Sequence, residues 1–276
     1  MKQGDYITLN HVSGAQAVVS LYGGQLLSWK TSDHQEQLFL SELAVFDGVT
    51  PIRGGVPVLF PVFGANSYMP SHGFARINWW GVKDIFQNID YSRIVLALDH
   101  HGVSNHYGFD DFLLELEMTL HAKAISLALS VTNIGVTEFQ FQAGLHSYFR
   151  IENILRTTLS GLGGTKFSEL GSTSVQSEDE LFITGPIDRI YSHLPSSKEL
   201  RLRDPARTLS ITSNGFHDSV VWNPWSDGCR SMADMNLAGY QSMLCVESAD
   251  VNNPIFLKPD DSYTATQMVS VLDRDR

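Results

Sequence analysis

The chain has 276 residues, 43% apolar and 18% charged, which supplies a sizeable core and excludes a disordered chain. Its formal net charge of −11 argues against nucleic acid, whose phosphates are bound by clustered Lys and Arg. A small anion held by two or three basic groups in one pocket stays open, because local field outweighs distant, screened surface charge.

From the N-terminus, Met1-Lys2-Gln3-Gly4 has no apolar stretch behind its lysine, and no apolar segment anywhere reaches the ~18 residues of a membrane span. No export signal and no anchor are expected. Two cysteines, Cys229 and Cys245, imply no disulfide framework, and a reducing cytoplasm is the expected compartment.

Ala17 to Leu21 is the first short strand signal. Residues 51–64 (PIRGGVPVLFPVFG) follow, where glycine and proline forbid a helix and a central strand alike. A rigid irregular loop is predicted, and Arg53 before two glycines suggests close backbone approach to a ligand. Ser71-His72-Gly73-Phe74-Ala75-Arg76 then places a histidine and an arginine four residues apart around a glycine.

Ile94 to Leu98 reads as a strand, and His100, His101 and His106, lying with Gly102 and Asn105, as a solvated loop rather than a metal site. The clearest pattern comes next. Phe112, Leu114, Leu116, Met118 and Leu120 alternate with more polar residues, and after Ala122-Lys123-Ala124 so do Ile125, Leu127, Leu129 and Val131. This period of two predicts an antiparallel hairpin.

Phe139 to Ala143 is another strand, and it leads into Gly144-Leu145-His146-Ser147-Tyr148-Phe149-Arg150. A histidine at the end of an apolar strand is by default a satisfied core residue. Gly161-Leu162-Gly163-Gly164 has the wrong spacing for a dinucleotide loop and reads as a turn. Leu209 to Thr212, Val220 to Trp222, Ser242 to Val246 and Tyr263 to Val271 complete the strands.

No amphipathic helical stripe, linker or internal repeat competes with these strands. An all-β antiparallel sandwich or barrel in a single domain, residues 1–276, is therefore expected. Along Ser242 to Val246, period two places Met243, Cys245 and Glu247 on one face. A carboxylate among apolar neighbours has its pKa raised above ~4.3, which suits a general base near neutral pH, and a histidine near ~6.5 is the complementary acid. His146 and Glu247 thus form a candidate acid/base pair.

Together these segments resemble the hexose-6-phosphate mutarotases (glucose-6-phosphate 1-epimerases), a branch of the aldose 1-epimerase family. The glycine-proline loop, His-Gly-Phe-Ala-Arg, the histidine-aromatic segment, Val220-Val221-Trp222-Asn223-Pro224-Trp225 and Cys245-Val246-Glu247 occur in the family's order. The resemblance runs to Tyr263-Thr264-Ala265-Thr266-Gln267 and covers nearly the whole chain.

It implies a galactose-mutarotase-like β-supersandwich with few short helices. It also implies His146 as general acid, Glu247 as general base, Arg53 and Arg76 as phosphate contacts, and Asp188 on the sugar hydroxyls. His72 would hydrogen-bond a hydroxyl or assist the acid. Trp222 to Trp225 is expected to be packing rather than a wall of the site. Where the branch often has glutamine before His-Gly-Phe-Ala-Arg, this chain has Ser71, a shorter substrate contact.

The implied reaction is isomerisation: exchange of α and β anomers with no cofactor and no metal. The implied partner is a small sugar phosphate, met by a monomer. Two alternatives stand beside it, an aldose 1-epimerase for unphosphorylated sugars and a non-catalytic carbohydrate-binding protein on the same fold.

Overall fold

The computed structural model describes residues 4–103, 107, 109, 111–196 and 198–273. His106 and Asn105 of the expected histidine loop lie outside the described residues, as do Met1, Lys2 and Gln3. His100 and His101 open a short 3-10 turn whose backbone N–H groups are capped by Asp99.

In chain order the strands are β1 (Tyr6–Asn10), β2 (Gln16–Ser20), β3 (Gln25–Lys30), β4 (Val58–Leu59), β5 (Gly81–Gln87), β6 (Ser92–Asp99) and β7 (Phe112–Leu120). Next come β8 (Ala124–Asn133), β9 (Phe139–Leu145), β10 (Tyr148–Arg150), β11 (Thr158–Ser160), β12 (Lys166–Glu169), β13 (Ser172–Val175) and β14 (Leu181–Phe182). The last six are β15 (Ile187–Tyr191), β16 (Glu199–Arg203), β17 (Thr208–Asn214), β18 (Asp218–Asn223), β19 (Met243–Leu257) and β20 (Ser262–Leu272). One short α-helix, α1 (Trp225–Arg230), joins them among the described residues, with a few 3-10 turns.

β1 to β3 form a small antiparallel sheet. Eight strands make a second sheet in the order β13-β12-β15-β18-β19-β9-β4, with β10 also paired to β19. Nine make a third, β14-β11-β16-β17-β20-β8-β7-β6-β5. The predicted hairpin is β7–β8, in register from Phe112 opposite Asn133 to Leu120 opposite Ile125. Its alternation places Phe112, Leu114, Leu116 and Met118 in the interior.

The two large sheets share one apolar core, to which Leu244 and Val246 of β19 contribute from one side and Leu127, Leu129 and Val269 from the other. The first half of β19 is buried on both faces. Its opposite face carries Met243 and Cys245, covered by a second cluster with Phe39, Tyr148, Cys229 and Met235. The expectation of a strand ending near Val246 fell short: β19 continues to Leu257 through a register shift between Asp250 and Ile255. Pro254 sits in that irregular stretch, where a ladder N–H is not required.

The glycine-proline loop is irregular, as expected, apart from the edge strand β4. Phe60 and Phe74 anchor it, both fully buried, with Phe60 packed against Phe74, Phe109, Phe112 and Phe141 at centroid distances of 5.3 to 5.7 Å. Burying two such rings holds the loop as firmly as a core element, since removing one from a core costs about 3–5 kcal/mol. Gly54 and Gly55 make their close approach to protein rather than to a ligand, which corrects the sequence reading. A Cβ on Gly55 would lie 2.2 Å from the Leu26 carbonyl oxygen, and one on Gly54 2.5 Å from that of Phe39.

Candidate active site

On the covered face of the eight-stranded sheet, the register aligns side chains from three adjacent strands. Asp188 of β15 lies opposite Trp222 of β18, and Trp222 lies opposite Cys245 of β19. Val220 faces Glu247 in the same way. Directly paired residues of antiparallel strands point to the same side, so Asp188, Val220, Trp222, Cys245 and Glu247 share one face.

His146 follows β9 in the link to β10. Its backbone N–H donates to the Pro57 carbonyl at 3.0 Å, which ties it to the glycine-proline loop. Its ring stacks on Tyr148 at 4.6 Å and meets the edge of Trp222 at 5.9 Å.

A cavity of about 310 Å³ opens on this face, lined by Arg53, Phe63, Gly64, Ser71, His72, Arg76, His146, Asp188, Val220, Trp222, Met232 and Glu247. All seven predicted site residues line it. Trp222 does too, so its expected role as packing is corrected: Cys245 and Asp188 beside it across the sheet put its ring on the cavity side. Trp225 packs instead on Tyr240 at 4.9 Å. A larger cavity of about 850 Å³ lies elsewhere. There Arg207 is engaged with Asp204 and with the carbonyls of Gln37 and Arg150, and Lys123 with Asp273, so its cations mainly hold the chain together.

His146 and Glu247 meet. Nδ1 of His146 lies 3.4 Å from Oε1 of Glu247, and the residues are 7% and 2% exposed. The contact lacks hydrogen-bond alignment: His146 Nδ1 and Glu247 Oε2 are buried without a hydrogen-bond partner among the described residues. Burial pushes the Glu247 carboxyl well above the usual carboxylate range; Asp188 adds to this and Arg76 opposes it. Burial first, then coupling to His72 and the charges of Arg76 and Arg53, push the His146 imidazole well below its ordinary value.

The His72 ring meets the His146 ring edge-on, with centroids 5.7 Å apart. The Gly64 N–H donates to its Nδ1 at 3.2 Å, which leaves the proton of a neutral ring on Nε2. Burial and the charges of Arg76 and Arg53 lower its pKa from 6.5 to about 3. His72 is therefore a neutral hydrogen-bond donor.

Arg53 is pinned by Asp234, at 3.1 Å from Nε, and by the Tyr148 hydroxyl, at 3.0 Å from Nη1. Arg76 donates from Nη2 to the Ser71 carbonyl at 2.7 Å, while its buried Nε has no partner among the described residues. Ser71 thus contributes its backbone to Arg76, and its hydroxyl donates to the Gly64 carbonyl at 3.3 Å. Asp188 is more open, with its pKa raised by partial burial and by Glu169.

Two supporting residues escaped sequence reasoning. Asp234 lies in an irregular segment after α1 with no pattern to mark it. Gln267 of β20 is fully buried; its Oε1 accepts from Ser147 Oγ at 2.5 Å, and its amide donates to Ser248 Oγ at 2.8 Å and the Val246 carbonyl at 3.3 Å. It thereby holds the residues directly after both His146 and Glu247. Its signal was present: a glutamine in the inward slot of the alternation Tyr263, Ala265, Gln267, Val269.

A family model for aldose 1-epimerase matches residues 5–270. The chain is 28% identical over 286 residues to a Cenchrus ciliaris protein named "Putative glucose-6-phosphate 1-epimerase", covering 93% of this chain and 82% of that one. It superposes with a TM-score of 0.90 and 28% identity on the crystal structure of "a putative mutarotase (YeaD) from Salmonella typhimurium", covering 99% and 92% of the two chains. A galactose mutarotase-like protein of Clostridium acetobutylicum, 16% identical, shares the fold at a TM-score of 0.74 over 95% and 93%.

Proposed function

The chain belongs to the aldose 1-epimerase family, and on that premise we propose that it interconverts the α and β anomers of a hexose 6-phosphate. The observation that carries this reading is the contact of His146 with Glu247 in a cavity that Arg53 and Arg76 also line.

Anomer exchange needs a base at the C1 hydroxyl and an acid at the ring oxygen, two atoms bonded to the same carbon. An acid and a base 3.4 Å apart suit that demand. Glu247 takes the hydroxyl proton while His146 protonates the ring oxygen, so the ring opens to the aldehyde without free charge on either oxygen. Rotation about C1–C2 presents the other carbonyl face, and reversed proton transfers close the ring as the opposite anomer.

The opposed pKa shifts bear on this cycle. The pair can hold one proton as neutral carboxyl and neutral imidazole, or as carboxylate and imidazolium, at the same total charge. In the free site burial favours the neutral form, and the positive charge of Arg53 and Arg76 adds to it at His146. A phosphate dianion bound to the two arginines offsets the positive charge that disfavours imidazolium at His146, while it also removes the support that Arg76 gives the Glu247 carboxylate.

In the same reading His72 donates from Nε2 to a sugar hydroxyl, Asp188 accepts from others, and Ser71 approaches the ligand directly or through water. Arg53 supplies a fork already oriented by Asp234 and Tyr148, which lowers the ordering cost of gripping a phosphate.

The test is anomeric exchange followed by NMR on glucose, galactose and their 6-phosphates, with chelator-treated protein in simple buffer. Acceleration greatest with a 6-phosphate is expected. Equal rates on free sugars would move the assignment to an unphosphorylated aldose, and no exchange on any of the four to a carbohydrate-binding protein.

A further inference from the structure

Cys245 has no part in the proposed reaction, yet its thiol lies against the acid/base pair. A ring nitrogen of His146, Cys245 Sγ and a Glu247 carboxylate oxygen all lie within 4.8 Å of one another, and all three residues are buried. The arrangement is built into the fold. Cys245 and Glu247 are two residues apart on β19 and so share a face, while Tyr148, paired with Cys245 across β10 and β19, carries the stacked ring of His146.

Imidazole nitrogen, thiolate sulfur and carboxylate oxygen are the donor types that hold Zn²⁺, at about 2.0–2.3 Å from the metal. Such bond lengths place tetrahedral ligands roughly 3.3–3.7 Å apart, so closing from the present spacing takes a movement of about 1.5 Å at most. Two of the three groups already carry an atom free to bind: Nδ1 of His146 and Oε2 of Glu247 are unpartnered among the described residues. Thiolate and carboxylate together neutralise a dication, so the occupied site has no net charge to bury. His146 and Glu247 also line the cavity, which leaves an approach for the ion and a fourth position for water.

We propose that His146, Cys245 and Glu247 form a site for a thiophilic divalent cation, Zn²⁺ or Cd²⁺, whose binding arrests the enzyme. The ion takes the lone pairs through which protons must pass. Arrest rests on the acid/base reading of the previous subsection; binding does not.

Full-length protein freed of metal is titrated with Cd²⁺ while the ultraviolet thiolate-to-cadmium charge-transfer band is recorded, and with Zn²⁺ while anomeric exchange is measured. The wild type and Cys229→Ser should show a band saturating at one equivalent, and Zn²⁺ should inhibit both, with activity restored by chelator. Cys245→Ser, and Cys245→Ala as a second variant, should keep basal exchange and lose the band. Half-inhibition of these two should need more Zn²⁺ by at least the roughly 10–100-fold that loss of a mere outer-shell partner costs. A Cys245 variant as sensitive as wild type, or no band in the wild type, overturns the site and leaves the acid/base reading standing. A one-equivalent band without inhibition overturns the arrest and with it the roles given to His146 and Glu247.

Discussion

Replacing Glu247 with glutamine should inactivate the enzyme while relieving the fold of a strain that grows with pH. The amide keeps the size of the side chain and removes its basic oxygen. General-base catalysis contributes about 10²–10⁴-fold, or about 3–5 kcal/mol at 1.36 kcal/mol per factor of ten, and the loss should fall in kcat. Stability moves the other way. Glu247 is 2% exposed, and burial raises its carboxyl well above the 4.5 of a free glutamate. The folded state therefore holds the proton more tightly than the unfolded one. The stabilisation from that proton is complete below pH 4.5 and declines as pH rises towards the folded pKa, by at most about 1.4 kcal/mol per pH unit.

Glutamine does not titrate, so the variant escapes this decline. Its stability relative to wild type should rise between about pH 5 and about pH 7. Exchange at saturating hexose 6-phosphate, and urea midpoints at matched m-values across that range, measure the two effects. His146→Asn should be similarly inactive, and the double variant barely worse than either single one, because groups acting as one unit are not additive. Near-normal turnover of Glu247→Gln would make the carboxylate structural. A stability difference that stays flat from about pH 5 to pH 7 would refute the argument from burial.

Two further outcomes test the walls of the cavity. Arg53→Ala and Arg76→Ala should each weaken binding of the 6-phosphate sugar by about 1.5–3 kcal/mol and hardly affect the free sugar; equal losses by calorimetry on both ligands would assign the arginines to the fold or the sugar ring. His72, with its pKa lowered from 6.5 to about 3, binds its proton more weakly when folded, so its contribution is intact above pH 6.5 and is lost as pH falls towards 3. His72→Asn should flatten the acid limb of urea stability by up to about 1.4 kcal/mol per pH unit in that window, and an unchanged limb would place His72 in solvent.

Local alternation is carried by neighbouring Cβ atoms, so the β7–β8 hairpin was legible from Phe112 to Val131 without any partner in view. The candidate site residues could be named as well, because short segments such as His72 to Arg76 and Cys245 to Glu247 keep their chemistry on a few adjacent positions. What lies across a sheet is not local. Trp222 looked like packing until the ladders put Asp188 on one side of it and Cys245 on the other, which turned its ring to the cavity. Gly54 and Gly55 looked ready for a ligand, but their close approach is to Phe39 and Leu26, residues met only after the chain has folded back. The reach of β19 past Pro254, the grip of Asp234 on Arg53 and the clamp of Gln267 behind His146 and Glu247 arise in the same way. Sequence by itself determined which groups could do chemistry, since that is a property of each side chain. Only the tertiary structure decided that His146 and Glu247 stand 3.4 Å apart in a site with Arg53 and Arg76, because their proximity comes from the pairing of strands distant along the chain.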